Sequence, residues 1–99
     1  MRYTYIKVVW HHDFDAEPTE LFSEILDGRE IRKVEIYRDG TMDFAGEQSS
    51  SGTSTLSQDA MPSLAEIAED PQFAPEEIPR QRFEEVWRSA HTGKSRRPH

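Results

Sequence analysis

EIRKVEIYRDGTMDFA, Glu30 to Ala45, reads as a strand, a tight turn at Asp39-Gly40 and a second strand. Asp-Gly between two runs of alternating β-favouring residues is a strong hairpin signal, because a type I′ turn needs positive φ at both central positions. On the first strand Arg32, Val34, Ile36 and Arg38 share one face, while Lys33, Glu35 and Tyr37 take the other. On the second, Met42 and Phe44 lie together, with Thr41 and Asp43 opposite. Val34, Ile36, Met42 and Phe44 then form one apolar patch. A lone hairpin is marginal in water, so the patch needs further strands and a cover.

The rest of the chain offers both. In YTYIKVVW, Tyr3 to Trp10, Ile6, Val8 and Trp10 share a face and Tyr5, Lys7 and Val9 take the other, the pattern of a strand. The polar stretch HHDFDAEP follows, and Pro18 ends any helical tendency there. ELFSEIL, Glu20 to Leu26, is short and is followed by Asp27-Gly28, which marks it as a strand leading into the hairpin. Residues 46–62 are rich in Ser, Thr and Gly without periodicity, and read as a flexible connection. Ser63-Leu64-Ala65-Glu66 is a capping box opening a short helix, with Leu64 and Ile67 inward. That helix stops near Asp70-Pro71, and Phe73 anchors the loop beyond it. A second helix starts near Pro79, and its Phe83, Val86, Trp87 and Ala90 recur at i, i+3, i+4 and i+7. The expected fold is α+β: a four-stranded antiparallel meander sheet with two C-terminal helices packed on one face. Residues 1–90 form a single domain, and 91–99 a disordered basic tail.

Ninety-nine residues suit one modest core, burying roughly 60–65% of the unfolded surface. Without cysteine there is no disulfide framework and no thiolate metal site. No apolar run approaches the roughly 18 residues of a membrane span, and no signal-peptide core opens the chain, so the expected location is the cytoplasm. Through Ala90 the chain carries 19 acidic and nine basic residues, net −10, and the tail adds +3. An acidic body disfavours nucleic acid, whose phosphates need neutralising, and suits a basic protein partner.

HHDFD is the one place where ligand-type residues cluster. His11, His12, Asp13 and Asp15 are the candidate ligands for a divalent metal, although adjacent His residues leaving a strand point apart, and no H-x-x-x-H spacing occurs. Asp13, Asp15, Glu17, Glu20 and Glu24 form the candidate acidic surface for a basic partner. No G-x-S-x-G elbow, G-x-G-x-x-G loop or Walker A motif is present, and no cofactor is expected. Tyr3, Tyr5 and Tyr37 near Lys7, Arg32, Lys33 and Arg38 suggest a nucleic-acid platform, but Glu20, Glu24, Glu30 and Glu35 interleave with them, as on a solvated face of cross-strand pairs.

IKVVWHHDFDAEP, ELFSEIL, RKVEIYRDG, MPSLAEI and FEEVW together resemble a family of small bacterial single-domain proteins of unknown function. The family pattern reads YIKVxWxHDFxxEPxxLYSEI, RKVEIFRDG, IPSLEEI and EFExVW. The resemblance runs from about Tyr5 to Trp87, departing at Phe22, where Tyr is common, and in a longer Ser/Thr-rich connection. It implies one compact domain and no activity assignable to any residue. By analogy it suggests an immunity protein that neutralises a toxin. The reading is therefore a non-enzymatic protein-binding module. The alternatives are a metal-binding domain or metal-dependent enzyme built on HHDFD, or an oligomerising module pairing through a sheet edge.

Overall fold

The computed structural model describes residues 2–47, 54–56 and 60–92. Its elements are β1 (Tyr3–Trp10), β2 (Glu20–Leu26), β3 (Arg29–Ile36), β4 (Met42–Gly46), α1 (Leu64–Ala68), β5 (Phe73–Glu77) and α2 (Arg80–Thr92). The sheet is antiparallel throughout, in the order β4-β3-β2-β1-β5. The four-stranded meander forms as expected, but a fifth strand extends it. Phe73 opens that strand rather than anchoring a loop. FAPEE carries a proline and two glutamates, which depresses its β signal, and such a strand is tolerated because it lies at an edge.

The two Asp-Gly turns differ in kind. Asp27 (φ 50°) and Gly28 (φ 87°) both sit in the left-handed region and join β2 to β3 as a two-residue type I′ turn. At Asp39-Gly40 only Gly40 has positive φ, 88°. The Gly40 N–H donates to the Tyr37 carbonyl and the Tyr37 N–H to the Thr41 carbonyl, each at 2.9 Å. This is a type I turn closed by a left-handed glycine, a three-residue loop in place of the expected I′ turn. Register explains it. A two-residue loop at Asp39-Gly40 would set Ile36 opposite Asp43, whereas the observed pairing sets Ile36 opposite Met42 and Val34 opposite Phe44. The longer loop keeps the apolar patch on one face, and it takes Arg38 out of the strand.

A β-bulge interrupts the β2–β3 pairing. Glu24 faces Arg32, but Ile25 faces Glu30, so Ile31 is an extra residue. Strict alternation would put Glu30 on the Arg32 face; the bulge turns it to the Lys33 face instead.

The helices cover opposite faces of the sheet, not one. Tyr5, Phe22 and Val34 pack with Phe83, Val86 and Ala90 of α2, flanked by Ile36, Met42, Phe44 and Trp87. Ile6, Val8 and Ile25 point the other way, against Leu64 and Ile67 of α1 with Met61 and Phe73. β1 and β2 are apolar on both faces, so one layer of helix leaves half of their side chains in water. The capping box of α1 forms: Ser63 Oγ accepts the Glu66 N–H at 3.1 Å, and Glu66 Oε1 accepts the Ser63 N–H at 3.0 Å. Most of the 46–62 connection and residues 93–99 of the expected tail lie outside the described residues. Within the connection Ser54 is buried, and the Met61 N–H donates to the Gly28 carbonyl at 2.7 Å.

Candidate functional site

HHDFD forms a tight corner at the end of β1. The Trp10 N–H donates to the Thr19 carbonyl and the His11 N–H to the Gln72 carbonyl, each at 2.8 Å. His12 organises the corner. Its Nδ1 accepts the Phe14 N–H at 2.9 Å, so the ring proton sits on Nε2 and is donated to the Pro18 carbonyl at 2.7 Å. The imidazole lies 4.3 Å from the Trp10 ring and is stacked 5.6 Å from Phe14. Arg38 donates to the His12 carbonyl at 2.6 Å and to Asp15 Oδ1 at 3.1 Å. Phe14 is left 62% exposed, with Asp13, Asp15 and Glu17 exposed around it.

The corner therefore gathers the expected residues without arranging them as metal ligands. Both ring nitrogens of His12 are occupied by backbone groups, and His11 is exposed beside it. Among the described residues, no three His, Cys, Asp or Glu side chains are grouped to hold a metal ion.

The remaining members of the expected acidic surface lie elsewhere. Glu20 pairs with Lys7 at 3.5 Å. Glu24 is 4% exposed and turned into the α2 layer, where it accepts from the Tyr5 hydroxyl at 2.7 Å and from Arg32 Nε. It is removed from the surface because it shares the Phe22 face of β2. Arg32 also donates in bidentate fashion to Glu84 of α2 at 3.1 and 2.9 Å, and lies 5.0 Å from both the Phe83 and Trp87 ring centres. Burial works to raise the Glu24 pKa, but hydrogen bonds from Arg32 and Tyr5 outweigh it and hold it below the ordinary value. The Arg32 hydrogen bond likewise lowers Glu84. Burial, reinforced by Glu24, pushes the Tyr5 phenol up to about 12. This network is paired at every charge. It clamps α2 to the sheet.

A second region was not singled out in the sequence. A cleft of about 440 Å³ lies between the sheet and α1. Val8, Leu21 and Phe73 floor it, Ile67 and Met61 wall it, and Glu66 and Asp70 stand on the helix side. Its polar end is set by Ser23, Glu30 and Lys33. Ser23 Oγ donates to Glu30 Oε2 at 2.7 Å, with both residues buried. Lys33 Nζ is 3.8 Å from Glu35 Oε2. Asp43, opposite Glu35 on β4, is 1% exposed. Among the described residues that line the cleft there is no histidine, and the group that takes the Ser23 hydroxyl hydrogen bond is the Glu30 carboxylate. Ser23 and Lys33 were legible as same-face neighbours once the register was known, but Glu30 joins them only through the Ile31 bulge.

Of the three tyrosines weighed for a nucleic-acid platform, Tyr3 is 49% exposed, whereas Tyr5 and Tyr37 are buried. Among the described residues, no helix is long and apolar enough to cross a membrane. Comparison with curated proteins and with solved structures finds no match. A family model described as a domain of unknown function (DUF6881) matches residues 4–92, nearly the whole chain, and the chain belongs to that family.

Proposed function

We propose that this chain is a non-enzymatic protein-binding module that docks a basic partner on the His11–Glu17 corner. The observation that carries this reading is Phe14: an aromatic side chain, 62% exposed, stacked on the His12 imidazole in a stretch that also exposes Asp13, Asp15 and Glu17. Rigid exposed aromatics are the commonest anchors of protein interfaces, because they bury large area with little loss of side-chain freedom. The surrounding carboxylates, on a chain of net charge −7, steer a basic surface toward that anchor. An immunity protein that covers a basic toxin is one form of this function.

The test is co-purification from the native host, followed by titration of the recovered partner against wild type, Phe14→Ala and Asp13→Asn/Asp15→Asn. Phe14→Ala is expected to weaken the complex by about tenfold or more. The double carboxylate change should mainly slow association and flatten its salt dependence. A partner that binds Phe14→Ala as tightly as wild type, or whose binding ignores salt, would remove the corner from consideration.

A further inference from the structure

We propose that His12 is a proton-operated latch on Phe14: a proton added to its ring unfastens the corner that presents the aromatic anchor. The regulatory meaning of the latch rests on the partner-binding reading above, whereas the latch itself is a property of this chain alone.

Both hydrogen bonds of the ring are made with backbone, and together they demand one protonation state. Nδ1 accepts the Phe14 N–H at 2.9 Å, and Nε2 faces the Pro18 carbonyl at 2.7 Å. The first needs a lone pair on Nδ1 and the second a hydrogen on Nε2, so only the neutral Nε2–H imidazole serves both. The imidazolium carries hydrogen on both nitrogens. It keeps the Pro18 contact but sets one donor against another at Phe14. The bond that breaks runs from the side chain of residue 12 to the backbone of residue 14, so it is the one that shapes the turn beneath the anchor.

The surroundings decide how readily the proton is taken up, not what it does once there. From the turn between β3 and β4, Arg38 donates to the His12 carbonyl at 2.6 Å and opposes a second positive charge. Its pairing with Asp15 at 3.1 Å offsets part of that effect. Asp39, on the same turn, accepts from the Thr41 N–H and hydroxyl. On the corner itself Asp13 and Glu17 are exposed carboxylates and His11 an exposed imidazole, while Glu20 at the start of β2 is held by Lys7. The Trp10 and Phe14 rings, 4.3 and 5.6 Å away, favour a cation. Among the described residues no carboxylate forms an ion pair with the His12 ring, so no new salt bridge replaces the lost bond.

The experiment begins with the full chain and needs no partner. Nitrogen-resolved NMR of the His12 ring near neutral pH is expected to show hydrogen on Nε2 and none on Nδ1. Between about pH 7.5 and about pH 5.5, across the ordinary imidazole range, the ring should take up its second hydrogen. Protection of the Phe14 amide from exchange, corrected for intrinsic pH dependence, should fall about fivefold with the same midpoint. The Phe22 and Phe83 amides should not follow. His12→Asn keeps an acceptor for the N–H two residues on, as in an Asx turn, and carries no titratable group. It should leave the Phe14 amide equally protected at both pH values. The partner recovered by co-purification is then titrated at the same two values. Wild type is expected to bind about fivefold more weakly at the lower pH, and His12→Asn to change by less than about twofold. The latch is overturned if the ring stays neutral throughout, if Nδ1 already carries hydrogen near neutrality, if the Phe14 amide ignores the ring's titration, or if His12→Asn responds as wild type does. Equal wild-type affinity at both values removes the regulation even where the amide responds. Failure of the corner reading shows separately, as a partner that binds Phe14→Ala like wild type while the Phe14 amide of wild type still follows His12.

Discussion

The two faces of the sheet are built from the same four strands of the meander and finished differently. On the α2 side a 13-residue helix seals Phe22, Val34 and Phe83, none of which is measurably exposed, and the buried Glu24 is paired with Arg32, which Glu84 of the helix also holds. On the α1 side a five-residue helix covers Ile6, Val8 and Ile25 but stops short of Ser23, Glu30 and Lys33. One face holds the fold together, and the other leaves room beside buried polar groups. A difference in helix length thus becomes a difference in role, since burial area sets how much each cover stabilises.

The sharpest way to break this contrast is to remove core volume from each face in turn. Phe83→Ala empties the centre of the α2 layer and should cost about 3–5 kcal/mol in urea unfolding. A loss under about 1.5 kcal/mol would mean that α2 is not the principal cover. Arg32→Met comes next. It leaves the buried Glu24 without its cation and should cost about 2–4 kcal/mol, whereas adding Glu24→Leu to it should recover much of that loss. If the double variant is no more stable than Arg32→Met alone, the penalty is not Glu24 left uncompensated.

The same network fixes the acid response. Glu24 and Glu84 have folded pKa values below the ordinary 4.5, so the stability they contribute is present above that range and drains away as pH falls through the depressed values. Wild type should therefore lose stability below about pH 4.5 more steeply than the Arg32→Met/Glu24→Leu variant, as measured by urea midpoints across pH. Tyr5 acts with the opposite sign. Its contribution is complete below the ordinary 10 and is lost as pH rises toward about 12. On the α1 face, Ile67→Ala removes a half-buried side chain beside an existing cleft and should cost only about 1 kcal/mol. A loss approaching that of Phe83→Ala would erase the distinction between the faces.

Much of the α2 face was legible beforehand. The Val34/Ile36/Met42/Phe44 patch follows from period-two alternation, and the Phe83/Val86/Trp87/Ala90 stripe from helical spacing. Glu24 was misplaced on the acidic surface: it lies two residues from Phe22 and shares its core face, where Tyr5 and Arg32 hold it. The α1 face was less legible. β5 hides behind Pro75 and two glutamates, and nothing local in Glu30-Ile31 announces a bulge. The I′ turn expected at Asp39-Gly40 conflicted with the patch drawn on the same hairpin, because loop length and register are not independent. The candidate cleft depends on that bulge and on long-range strand pairing, which no short motif records.

The corner at His11–Glu17 gives the smallest stability effect and the cleanest separation of fold from function. Phe14 is 62% exposed, so its ring contributes little burial. The hydrogen bond that shapes the corner uses the Phe14 backbone N–H, which alanine retains. Phe14→Ala should therefore shift stability by no more than about 0.5 kcal/mol in thermal or urea unfolding, while it weakens partner binding. His12→Ala sharpens the point from the other side, since it removes the acceptor for that N–H and the donor to the Pro18 carbonyl together. It should cost about 1–2 kcal/mol and loosen the same anchor. If Phe14→Ala instead destabilises the chain as much as His12→Ala, the phenyl ring is part of the frame that holds β1 to β2, and an exposed aromatic among carboxylates no longer argues for a partner.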